Sequence, residues 1–251
     1  MTLQETVRPA AVAASDARDY ATLRFCLWSV VVYSVVGLLG FGVFAGFFPP
    51  PGADLSPAQI GDYFREHDTG IRIGMALMAA SGPFYFVWSA VLSKIITKIE
   101  GPMGPLSTIE LIGGLFTAIV TFLPAVIWVT AAFHIESRSD ATISMLYDFG
   151  WFFLDITFFC TFLQQVAFGV AVLRDHRTTP LFPRWIAWFA FLTSAVYVPL
   201  CLLPFMHTGP FAWQGLMNFW AVFGMFFGLL AAITVYAYKA LHRLEQEDAV
   251  A

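Results

Sequence analysis

Six apolar runs, separated by short polar stretches, organise the chain: residues 23–47, 71–96, 106–133, 144–173, 185–203 and 211–241. A helix crossing a bilayer needs about 20 predominantly apolar residues, so each run is a membrane span. The pattern predicts an all-α polytopic membrane protein, a six-helix bundle. Its transmembrane domain covers 23–242, with polar tails at 1–22 and 243–251. Between the first two runs, Pro49, Pro50, Pro51 and Gly52 end the helix. Ser56, Pro57 and Gln59 then form the start signal of a short helix. Ile60, Tyr63 and Phe64 recur at helical spacing among charges, which predicts an amphipathic helix on the outer membrane surface.

Helical wheels at 100° per residue assign faces. In the second span Arg72, Ala76, Ala79, Pro83 and Ala90 share a side. Small residues mark the packed side of a membrane helix, so Arg72 is expected to point into the bundle at its rim. In the third span Glu110, Gly114, Thr117, Thr121, Pro124 and Trp128 form one stripe that should face protein. The fourth span carries Asp148, Phe152, Asp155, Phe159 and Phe162 along one line, with Thr157, Thr161 and Gln164 opposite. Polar groups on two sides predict a central helix. Asp155 lies ~6 Å deep if the helix starts at Trp151 and ~16 Å if it starts at Ser144. Gly42 with Gly46, and Gly224 with Gly228, have GxxxG spacing, which allows close helix approach or a contact with a membrane partner or second copy.

Composition agrees with this pattern. Hydrophobic residues make up 59% and charged residues 12% of 251 positions, and mean hydropathy is +0.73, outside the range of soluble domains. No room remains for a second, soluble domain. The net charge is -4 and no basic stripe occurs, so no nucleic-acid partner is expected. Cys26, Cys160 and Cys201 form no CxxC pair, so neither a disulfide framework nor a metal knuckle is indicated.

Charge sets orientation. If the N-terminus is cytoplasmic, the inner side carries Arg8, Arg18, Arg24, Lys94, Lys98, Arg174, Arg177, Arg184, Lys239 and Arg243. The outer side carries only Arg65, Arg72 and Arg138. This positive-inside bias predicts a bacterial inner-membrane protein with both termini cytoplasmic.

Four short motifs stand out: TGIRIGM at 69–75, DFGW at 148–151, LFPRW at 181–185 and TGPFAWQG at 208–215. With them the chain resembles a group of actinobacterial and proteobacterial six-helix integral membrane proteins carrying a TGPFAWxG motif. The resemblance implies six spans and carries no activity.

The candidate chemistry centres on Asp155. Ionisable groups inside a membrane are costly and mark functional sites. An aromatic pocket with few polar groups is the usual site for a small lipophilic molecule. The expected ligand-binding set is Asp155, Phe152, Phe159, Phe162 and Gln164. Arg72, Asp148 and Glu110 form an expected polar network, with an Arg72–Asp148 ion pair at the outer rim. Glu110 either snorkels to the cytoplasmic interface or ends a polar route. His134, Glu136 and His207 lack HExxH spacing and a Cys partner, so no metal is expected. No mid-span His pair suggests haem, and no cofactor is expected. The leading functional expectation is binding or transport of a small, mainly apolar molecule. The alternatives are a non-catalytic accessory subunit and an intramembrane enzyme using paired carboxylates.

Overall fold

The computed structural model describes residues 10–102 and 104–250, with side chains over 19–102 and 104–249. Residues 1–9, which include Arg8 of the charge comparison, lie outside the described residues, as do Met103 and Ala251. In chain order the elements are α1 (Asp19–Phe44), the short α2 (Pro57–Glu66), α3 (Asp68–Glu100), α4 (Pro105–Ala132), α5 (Asp140–Leu173), α6 (Arg184–Phe205) and α7 (Leu216–Ala249). All except α2 are long and apolar enough to cross a membrane. No strand occurs among the described residues. The protein is an all-α, multi-pass membrane bundle.

Several helices outrun their apolar cores. The chain is already helical from Ala10, and the last helix runs on to Val250, so the described parts of both expected tails are helical. Ion pairs tie these polar extensions together. Arg24 pairs with Glu245, Lys98 with Asp248 at 3.0 Å and Arg177 with Glu247 at 3.3 Å. They form a charged collar at the terminal end of the bundle. The start of the sixth span is corrected in the other direction. Residues 211–215 form a turn, and the helix begins at Leu216 after Gly215, which is extended.

The opposite, loop end is sealed by aromatic packing. Tyr147 and Trp213 both donate to the Pro51 carbonyl, at 2.8 and 2.9 Å. Trp213 also stacks on Trp151, with centroids 6.0 Å apart. α2 completes this seal. Its capping box forms as expected, with Ser56 and Gln59 bonding reciprocally. Its apolar face, however, does not lie on the membrane. Ile60 and Phe64 are buried, and the Phe64 ring meets Tyr147 at 5.7 Å. The amphipathic pattern therefore reads a protein-facing helix, held also by the Arg65–Asp140 ion pair.

Lipid tails are as apolar as leucine, so spans associate through close packing and hydrogen bonds rather than hydrophobic burial. The tightest approach of α1 and α3 is at Gly40 and Gly74. A methyl on either would be driven into the other's carbonyl oxygen. Gly42 and Gly46 are not such a seam. Gly46 lies past the helix with φ +70°, and a methyl there would stand 2.7 Å from the Tyr63 hydroxyl. Gly224 faces open space.

Gly74→Ala is therefore expected to lower stability by about 2 kcal/mol or more, as overpacking does. Gly224→Ala should leave the melting temperature in detergent unchanged or slightly raised. A second expectation concerns α2. The Tyr63 hydroxyl donates to Ala45 O and Gly46 O at 3.1 and 3.0 Å. Burial, with a smaller contribution from Glu66, pushes its pKa up to about 12. An unfolded tyrosine ionises near ~10. The stabilisation is thus fully present below the unfolded value and is lost as pH rises through the folded one. The melting temperature should fall between pH 10 and 12, and fall less in Tyr63→Phe.

Candidate functional site: a cavity bordered by all six spans

All six spans border one internal cavity of about 120 Å³. α1 contributes Tyr33, Gly37, Leu38 and Phe41, and α3 contributes Met78. Thr117, Val120 and Thr121 come from α4. Leu154, Asp155, Phe158 and Thr161 come from α5, Tyr197 and Leu200 from α6, and Val222, Phe223, Phe226 and Phe227 from α7. The wall is mainly aromatic and aliphatic, with the hydroxyls of Thr117, Thr121, Thr161, Tyr33 and Tyr197 and one carboxylate.

Asp155 sits about midway along the 34 residues of α5. It is 4% exposed. Its Oδ2 is buried without a hydrogen-bond partner. None of the ion pairs among the described residues includes it.

Just beyond Asp155 the helix breaks. α5 consists of two helices, Asp140–Ile156 and Phe159–Leu173. The Phe158 amide bonds back to Asp155 O at 3.3 Å, a tight turn rather than a continued helix. The Phe158 ring faces inward toward Tyr197, with centroids 6.4 Å apart.

The lining corrects the expected aromatic set. Phe152, Phe159 and Phe162 do not border the cavity. Phe152 meets Trp213 edge-on at 6.4 Å, in the loop-end cluster. Phe159 is 52% exposed on the outer surface. Phe162 packs behind the wall against the Phe158, Tyr197 and Leu200 cluster. Asp155 stands at the edge of the buried face of α5: the packed positions Tyr147, Trp151, Phe158, Thr161, Gln165 and Phe168 recur three, four or seven residues apart, centred about 100° round the helix from the expected line. The aromatics that border the cavity come from α1, α5, α6 and α7. Tyr33 and Tyr197 carried a usable signal, because a phenol deep in an apolar run needs a buried partner. Tyr33 meets Thr121 at 3.2 Å, and Tyr197 accepts from Gln165 at 3.0 Å.

Gln164 lies in a polar cluster beside the cavity. Its Nε2 donates to Glu110 Oε1 at 2.8 Å and to Ser89 at 3.3 Å. Its Oε1 accepts from Tyr85 at 3.0 Å and from Thr117 at 3.2 Å. Thr117 in turn meets Thr161 at 2.9 Å, and both border the cavity. Glu110 thus does not snorkel. It is 1% exposed and also accepts from Ser89 at 3.2 Å. The rest of its stripe, Gly114, Thr117, Thr121, Pro124 and Trp128, is buried with it, as expected.

The expected network of Arg72, Asp148 and Glu110 does not assemble. Arg72 points outward and pairs with Asp68, one turn earlier on its own helix. Asp148 is partly buried near the loop end. The small residues beside Arg72 misled the assignment: Ala76 and Pro83 are exposed, and the packed face of α3 carries Gly74, Met78, Tyr85 and Trp88. No family model, curated protein or solved structure matches the chain.

If Glu110 anchors this cluster, its substitutions should separate. Glu110→Gln keeps an acceptor for Gln164 and Ser89 and should change stability by less than about 1 kcal/mol. Glu110→Leu strands the Gln164 amide and should cost about 1–3 kcal/mol. Thermal unfolding in detergent reads the difference. A snorkelling glutamate would tolerate both changes equally.

Proposed function

We propose that this protein is a bacterial inner-membrane protein that binds, and in doing so can transport, a small mainly apolar molecule in the central cavity, with Asp155 as its polar contact. The observation that carries the reading is the conjunction of a cavity bordered by every span with a mid-span carboxylate on its wall whose Oδ2 has no partner. A buried polar atom without a hydrogen bond is unfavourable by roughly 1–3 kcal/mol, more if charged. Such a group is retained where a ligand or substrate completes it. The orientation, with both termini cytoplasmic, rests on the positive-inside count and on the charged collar that gathers the terminal helices.

The accessory-subunit reading has one observation in its favour. Gly224 and Gly228 are exposed on α7, and a methyl at Gly224 would meet nothing within 4 Å. That face is open to another membrane helix. The paired-carboxylate enzyme has less support, because Asp155 borders the central cavity while Glu110 and Asp148 do not.

The test is mass spectrometry of an organic extract from the purified protein, wild type beside Asp155→Asn. A discrete lipophilic molecule near one per protein, and at least about tenfold depleted in a folded Asn variant, is expected; a tenfold loss corresponds to about 1.4 kcal/mol of contact energy. Bulk lipid alone in both extracts would remove the pocket reading and favour the accessory subunit.

A further inference from the structure

A second hollow lies on the outer surface of the bundle and shares two wall residues with the first. α1 and α7 are tied together at the terminal end by Arg24–Glu245 and diverge above it. Between them runs an apolar groove of about 620 Å³, from Leu27 and Tyr238 at its lower end to Leu38 and Phe227 at its upper end. Leu38 and Phe227 also border the Asp155 cavity. These two side chains thus stand between the groove and the cavity. Its walls include Val31 and Val35 of α1 and Val235 of α7, all exposed. From Leu27 to Leu38 it is about 17 Å long by helical rise.

We infer that the ligand is a single-chain amphiphile with a small cationic head: the ammonium sits at Asp155, and the alkyl chain leaves between α1 and α7 into the bilayer through the Leu38–Phe227 passage. This rests on the pocket reading above and gives it a substrate class. Two features of the cavity select a cation. A carboxyl group removed from water must hold either a proton or an opposite charge; the described residues bring no cation, and an ammonium supplies both a donor and the charge. The Tyr33, Phe41, Phe158 and Phe226 side chains around it offer π faces, which attract ammonium groups and interact more strongly when desolvated. The groove accounts for the chain. A tail gains nothing by moving from lipid into protein, so a head deep in the bundle is reachable by a long-chain molecule only if the tail can stay in the membrane. A lateral slot supplies that route.

The experiment uses the full chain in lipid nanodiscs and a long-chain primary amine carrying a diazirine near its chain end. After photolysis, labelled residues are mapped by mass spectrometry, with excess dodecylamine or dodecanol as competitor. Labelling competed by dodecylamine is expected on the groove walls of α1 and α7, at least about tenfold less sensitive to dodecanol, and lost in Asp155→Asn. Leu38→Trp, which fills the passage, should reduce it, whereas Leu192→Trp on the exposed side of α6 should not. Equal competition by dodecanol overturns the cationic head and leaves a neutral-ligand pocket standing, which the extract experiment reads independently. Competed labels spread over other lipid-facing helices overturn the chain path. Absence of any competed label overturns the proposal. The wild-type comparison of amine with alcohol decides the charge even if the Asp155 variant fails to fold.

Discussion

The bundle depends on the satisfaction of one amide in hydrocarbon. Gln164 has two N–H donors and an oxygen with two lone pairs, and all four are used. The donors reach Glu110 and Ser89; the oxygen receives Tyr85 and Thr117. These partners stand on α3 and α4, so a single side chain of α5 fixes three helices in register. Water is absent from a bilayer core, and an unbonded polar group has no alternative partner there. The arrangement requires α4 to come very close, which Gly113 and Gly114 permit. A methyl at Gly113 would sit 2.7 Å from the Gln164 Cβ, and one at Gly114 would collide with Ser89. The glycine pair and the glutamine are one device.

The central cavity is the counterpart of that device. Thr161 and Thr117 stand between the two, sharing a hydrogen bond with each other while Thr117 also reaches Gln164. On one side Gln164 finds its donors and acceptors within the chain. On the other, Asp155 Oδ2 has none. Asp68 Oδ1, Trp151 Nε1 and Asn218 Oδ1 are also buried without a partner; what sets Asp155 apart is its place on the wall of the central cavity.

How much of this was legible in the chain depends on which periodicity survives folding. The Glu110 stripe was legible because α4 runs unbroken from Pro105 to Ala132 despite Pro124, so a wheel keeps its phase. The aromatic face of Asp155 was not, because Asp155 stands at the edge of the buried face of α5, and a line drawn through it follows its polar and aromatic neighbours rather than the packed positions Trp151, Phe158, Thr161 and Gln165. Arg72 was misread for a different reason. Small neighbours were taken to mark the packed side of α3, yet that side is built on Gly74 and on large residues such as Trp88 and Tyr85. An i,i+4 acidic partner, Asp68, was available on the same helix, and such local pairs compete with distant ones at little conformational expense. α2 shows the limit of amphipathic patterns: they report that one face is covered, not whether lipid or protein covers it.

The break in α5 has its own physical logic. Non-helical backbone at membrane depth is tolerated where it is buried in protein or lines a cavity, and discontinuous spans are a recurrent way of building midplane binding sites. Here the turn falls within three residues of Asp155, at mid-span. Phe158 faces inward and closes the cavity against Tyr197, while Phe159 faces outward. The helical phase carries across the turn: Leu154, Phe158, Thr161 and Gln165 follow one another at spacings of three or four residues along one face. One span thus presents a carboxylate and an aromatic ring to the cavity while its next turn carries the glutamine on which the packing of α3 and α4 depends.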